Sequence, residues 1–179
     1  MDGPAVNWKL YDLLRSHISH SAPLKMLEVG SCGLHVMHNA FRSGCAAVPW
    51  DLETFLSIVY HLYHDSPTRR QDLMDITGST VFPLKYCKHR WLENVEPAER
   101  VIFLLPHLTD FCSPVKNKKI TVPTCKSFKY VLDAVGDPLI KAKLLFFVTI
   151  ARIAQPYLEA YQMDKPMLQF LATDQGVLV

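Results

Sequence analysis

Only one stretch of this chain, Leu24-Lys25-Met26-Leu27-Glu28-Val29, alternates well enough to be a strand; elsewhere the apolar residues recur three and four apart. Period two sends neighbouring side chains to opposite faces of a strand, whereas spacings of three and four line one face of a helix. The fold class this predicts is mainly α with a minor β element. A lone strand has no ladder partners for its backbone N–H and C=O groups, so Leu24 to Val29 is expected to pair with another chain or to stay solvated and labile.

The helices can be placed by their stripes and punctuation. Pro4 suits a first turn, and Val6, Leu10, Leu13, Leu14 and Ile18 continue at helical spacing to about Ser19. A second helix runs from Cys32 to Arg42 with Leu34, Met37, His38 and Phe41 on one side, closed by Ser43-Gly44. Asp51 caps a third, whose stripe is Phe55, Ile58, Val59, Leu62 and Tyr63. Ser66-Pro67 opens a fourth that Gly78 stops, and Ser79 to Tyr86 is irregular. Trp91 to Leu105 is helical in period, with Pro106 expected to kink or end it. Ser113 to Thr124, rich in Lys and Pro, reads as an exposed loop. Helices from about Thr124 to Val135, Pro138 to Gln162 and Lys165 to Ala172 complete the count, the second with Pro156 inside it. The best domain boundary lies between Gly44 and Pro49, giving units 1–46 and 47–179.

With 179 residues, 49% of them hydrophobic, the chain can bury a real core. Its net charge of +2 is too small to predict nucleic-acid binding. The five cysteines (32, 45, 87, 112 and 125) are odd in number and irregularly spaced, which fits free thiols better than a disulfide scaffold. The longest apolar run, Leu144 to Ala151, is far short of a membrane span, so no membrane partner is expected and the reading is a soluble intracellular protein.

Three short motifs carry chemistry. Asp2-Gly3-Pro4-Ala5-Val6-Asn7 sets a carboxylate just before a helix, where it can cap the first turn. Cys32-Gly33-Leu34-His35 has the spacing of half a zinc site, but the other cysteines and histidines supply no second half. No bound metal is therefore expected, with Cys32 buried and His35 hydrogen-bonded nearby as structural residues. In Lys88-His89-Arg90-Trp91-Leu92-Glu93-Asn94, Arg90 and Trp91 can touch a phosphate and stack on a base. The better reading makes Trp91 a core anchor beside a salt-bridged Arg90. Lys116, Lys118 and Lys119 are either a solvated loop or a few more phosphate contacts. His61 and His64 lie one turn apart on a helix without a visible third ligand. There is no phosphate-binding glycine loop, nucleophile elbow or His-Glu-x-x-His.

The order Asp-Gly-Pro-x-Val-Asn, Cys-x-x-His, Arg-Trp resembles the middle of a hAT-superfamily DNA transposase. His89 stands where that family's Thr-Arg-Trp motif has Thr, Asn94 follows where a Ser is common, and Val36-Met37-His38-Asn39-Ala40-Phe41 matches its helix only loosely. The resemblance implies a truncated RNase H-like fragment followed by a helical insertion domain, with Asp2 as the second catalytic carboxylate. It also implies a nuclear protein of a transposable element. The first and last carboxylates have no counterpart, so the chain is expected to be inactive, with no cofactor, and Mg²⁺ or Mn²⁺ enter only if the parent cleavage and strand-transfer activity persists. Weak DNA binding, a protein partner or self-association are the expected interactions. The rival reading is a helical protein- or DNA-interaction module without chemistry, which exposed aromatics between Trp50 and Tyr63 would favour.

Overall fold

The computed structural model describes residues 5–21, 32–88, 90–116, 125–162 and 170. Asp2, His89, Lys118, Lys119, the Leu24–Val29 strand and, apart from Phe170, the helix expected over 165–172 lie outside them. Among the described residues there are seven α-helices and no strand, which makes the architecture mainly α. The helices are α1 (Ala5–Ser21), α2 (Gly33–Ala46), α3 (Leu52–His64), α4 (Pro67–Thr77), α5 (Val95–Lys116), α6 (Lys126–Val135) and α7 (Ile140–Tyr161). A 3₁₀ turn, Trp91–Asn94, leads into α5. None of them is long and apolar enough to cross a membrane.

Local chemistry sets several boundaries where the sequence put them. Asp51 caps α3 by accepting from the Thr54 N–H at 3.0 Å. Ser66 caps α4 through the Arg69 N–H, with Pro67 at the first helical position, where no N–H is needed. Gly78 ends α4 at φ 66°, a left-handed conformation that costs a residue with a Cβ roughly 1–2 kcal/mol.

Two expected stops are corrected. Ser43-Gly44 does not close α2, which continues through Gly44 to Ala46 and is capped by Ala47 in a right-handed conformation. Pro106 does not end α5 either; the helix runs on to Lys116 and takes in Ser113, the start of the expected loop. Proline in a helix interior costs about 3 kcal/mol. On the flanking turns Leu104, Leu105, Leu108, Phe111 and Cys112 are buried, at about 1.5–3 kcal/mol for each large side chain, while Pro106 itself is exposed. Burial outweighs the local defect.

Helix α5 is the central element, flanked by α3, α4, α6 and α7. Tyr63 of α3 meets Phe111 edge-to-face at 5.7 Å, and Phe111 meets Phe128 of α6 at 6.1 Å. From α7, Leu144, Phe147, Val148, Ala151 and Ala154 close the other side. The irregular stretch after Gly78 is pinned to this body: Arg70 lies over the Phe82 ring at 4.3 Å, and Arg100 donates to the Phe82 carbonyl at 3.3 Å. Helix α2 rests on the Trp91–Asn94 turn and on α7, with Phe41 edge-to-face on Phe147 at 5.5 Å.

Candidate functional site

The Cys-x-x-His and Arg-Trp stretches, more than fifty residues apart in sequence, meet in space. Cys32 occupies the N-cap of α2, half-buried rather than fully buried, and its carbonyl accepts from the Val36 N–H at 3.1 Å. His35 is exposed. One turn on, His38 is buried, and its Nδ1 accepts from the Leu92 N–H at 3.4 Å. Accepting at Nδ1 requires the neutral ring with its proton on Nε2. Burial holds the His38 pKa below its ordinary 6.5, against the opposing pull of Glu93. The histidine tying the two motifs together is thus His38, which the apolar face of α2 places inside and whose distant partner no spacing rule reveals.

On the opposite side of the joint, Trp91 is 7% exposed and edge-to-face with Tyr86 at 5.8 Å. At that exposure the ring is part of the hydrophobic core, where a tryptophan acts as a packing anchor. Trp91 Nε1 and the Tyr86 hydroxyl are both buried with no hydrogen-bond partner among the described residues. Burial, with Glu53 nearby, pushes the Tyr86 phenol well above its usual range. Arg90 is exposed and donates to Glu93 at 3.0 Å. A surface pair of this kind contributes about 0–1 kcal/mol, so an incoming phosphate can compete for the guanidinium. Lys85 and Lys88 are exposed on the same segment, and Lys116 is the last residue of α5.

Asn94, which the sequence marked only as a departure from a family pattern, organises the turn. Fully buried, its Oδ1 accepts from the Cys87 N–H at 2.7 Å. Its Nδ2 donates to the carbonyls of Cys87 at 2.9 Å, Arg90 at 3.1 Å and Trp91 at 3.2 Å. An asparagine amide is the one uncharged group, along with glutamine's, that offers two N–H donors and a carbonyl acceptor to meet such a set.

At the C-terminal end of α3, Asp65 receives hydrogen bonds from Nδ1 of His61 at 3.1 Å and of His64 at 2.8 Å. The His64 bond holds the Asp65 carboxyl below the usual carboxylate range. Among the described residues no three His, Cys, Asp or Glu side chains are arranged to hold a metal ion.

Beside the joint, α2 and α7 leave an apolar groove of about 360 Å³ lined by Ala40, Phe41, Cys45, Trp50, Phe146 and Ile150. An adjoining polar pocket of about 370 Å³ shares the Cys45–Trp50–Leu52 wall and adds Arg42, Asp51 and Glu53. Comparison with protein-family models, curated proteins and solved structures finds no match.

Proposed function

We propose that this chain is a hAT-transposase-related helical module that performs no chemistry itself, holding an RNase H-like region against a helical insertion region and touching DNA weakly. The observation carrying this reading is the His38–Leu92 bond, which seats the Cys32-x-x-His35 helix on the Arg90-Trp91 turn. Two motifs far apart in sequence are thereby in contact, which supports reading them as parts of one unit. Exposed Lys85, Lys88 and Arg90 would supply a few phosphate contacts, with Lys116, Lys118 and Lys119 adding to them. Asp2 is the only acidic residue whose sequence context resembles a catalytic ligand, and two-metal phosphoryl transfer needs several such carboxylates.

The test incubates supercoiled plasmid with the wild-type chain and with Asp2→Ala, in Mg²⁺ and in Mn²⁺, and measures duplex binding by fluorescence anisotropy at several salt concentrations. The expected result is no nicking, and weak binding that falls steeply with salt and falls further in Lys88→Ala/Arg90→Ala. Metal-dependent nicking that disappears in Asp2→Ala would overturn the inactive reading. A second reading, a module whose partner is protein, is favoured by the apolar groove, where Phe146 is 54% exposed. It gains if the Lys88/Arg90 variant leaves DNA binding unchanged.

A further inference from the structure

Four polar groups where α2, α3 and the Trp91–Asn94 turn come together have no hydrogen-bond or ion-pair partner among the described residues. They are the Arg42 guanidinium, the Glu53 carboxylate, the Trp91 indole N–H and the Tyr86 hydroxyl. Arg42, Glu53 and Trp91 line one and the same pocket of about 370 Å³. Tyr86 packs edge-to-face on Trp91 at 5.8 Å. Burial pushes its phenol above the usual range; Glu53 adds to that and Arg42 opposes it, so both charges act on this hydroxyl. Arg42 is exposed and Glu53 half-buried, whereas Trp91 and Tyr86 are 7% and 6% exposed. The charged groups thus sit towards solvent and the two neutral donors inside. Asp51, the other carboxylate on this wall, is already engaged by the Thr54 N–H. The rest of the wall is apolar, from Val48, Pro49, Trp50 and Leu52.

We propose that this pocket binds a free α-amino acid with an apolar side chain, its carboxylate taken by Arg42, Trp91 and Tyr86 and its ammonium by Glu53. An indole N–H and a guanidinium only donate, and a phenol held in its protonated form donates as well. Three donors call for an acceptor of high capacity, and a carboxylate has about four lone-pair sites. Glu53 only accepts and calls for a cationic donor. A zwitterion carries both groups a few bonds apart. A simple anion would meet Arg42 but be repelled by Glu53, and a simple cation would leave all three donors unmet. A buried donor without an acceptor is costly, and an oxygen admitted at the Trp91 wall relieves that cost. The volume falls within the range of small-molecule sites, roughly 300–1,000 Å³, which likewise set a few convergent polar groups in apolar walls. This binding goes beyond the DNA reading and does not depend on it.

Isothermal titration calorimetry of the full chain tests it with three probes: L-phenylalanine, 3-phenylpropionate, which lacks the ammonium, and phenylalaninamide, which lacks the carboxylate. Phenylalanine should bind with a Kd at or below about 1 mM, and each analogue at least about tenfold more weakly. The two charge variants should cross. Arg42→Gln should lose roughly tenfold for phenylalanine but nothing for the amide, and Glu53→Gln should lose as much for phenylalanine but nothing for 3-phenylpropionate. Trp91→Phe keeps an aromatic ring and removes the N–H. It should be at least as stable as wild type to urea, because an orphaned donor is gone, yet bind phenylalanine roughly tenfold more weakly. Tyr86→Phe does the same for the hydroxyl and replaces it if Trp91→Phe does not fold. No binding of phenylalanine, equal binding of the three probes, or full affinity in both ring variants would overturn the proposal.

Discussion

Replacing Asn94 by alanine removes an amide that satisfies one backbone N–H and three carbonyls at the entrance to α5. The Cys87 N–H loses its 2.7 Å acceptor in a half-buried position, and a stranded donor there costs about 1–3 kcal/mol. The carbonyls lose two hydrogens shared three ways, and truncation of a fully buried side chain leaves a small void. Together these predict a loss of about 3 kcal/mol, or roughly 6–12 °C in melting temperature for a chain of this size. Asn94→Asp sharpens the test because it keeps the shape and the acceptor for Cys87. Its carboxylate faces three carbonyl oxygens with nothing to donate, so its folded pKa rises above the ordinary value of about 3.9. The folded state then holds that proton more tightly than the unfolded chain does. Stability of the aspartate variant should be fullest below about pH 4 and decline as pH rises towards the folded pKa. The assay is thermal and urea denaturation followed by circular dichroism at fixed protein concentration, each variant taken as a difference from wild type across pH. A loss below about 1 kcal/mol in Asn94→Ala, or a pH-independent Asn94→Asp penalty, would refute the reasoning.

His38 makes a prediction of the opposite sign. Its pKa is lowered in the folded state, so its contribution is complete above about pH 6.5 and is lost as pH falls below that, where the unfolded chain binds the proton more readily. Urea titrations of wild type and His38→Gln from pH 8 to 5 should give stabilities that converge towards acid; parallel curves would contradict a buried neutral ring. Alanine replacements of Gly78, which ends α4, and of Gly44, inside α2, should also differ in sign. Gly78→Ala, at φ 66°, should cost about 1 kcal/mol, whereas Gly44→Ala, right-handed and open on its Cβ side, should stabilise by about 0.5–1 kcal/mol. Equal effects in chemical denaturation would count against the backbone argument.

What the sequence made legible was chemistry that acts within a turn or two. Asp51, Ser66-Pro67 and Gly78 cap their helices through bonds to residues at most four away, and their spacing announces it. The side of α2 carrying Leu34, Met37, His38 and Phe41 faces inward as its periodicity requires. Local propensity favours a stop at Gly44 and a kink or stop at Pro106, and the burial of the neighbouring turns that carries both helices onward is not encoded locally. The roles of Asn94 and His38 depend on backbone groups of an irregular segment and of a turn 54 residues away, which no periodicity encodes. Asp65, one residue from His64 and four from His61, is by contrast a local partner that helical spacing could have revealed.

The attachment of α2 has a consequence for how the molecule comes apart. Helices α3 to α7 share one core around α5, whereas α2 meets that body chiefly over the Trp91–Asn94 turn and the flank of α7. Such an element can detach as a separate cooperative unit while the body stays folded. Its release exposes His38 to water, and because the freed ring takes up a proton more readily than the docked one, acid draws the population towards this opened form. The amide of Leu92, whose acceptor is that same ring, would then exchange with solvent at the rate of this local opening, well before the amides of α5.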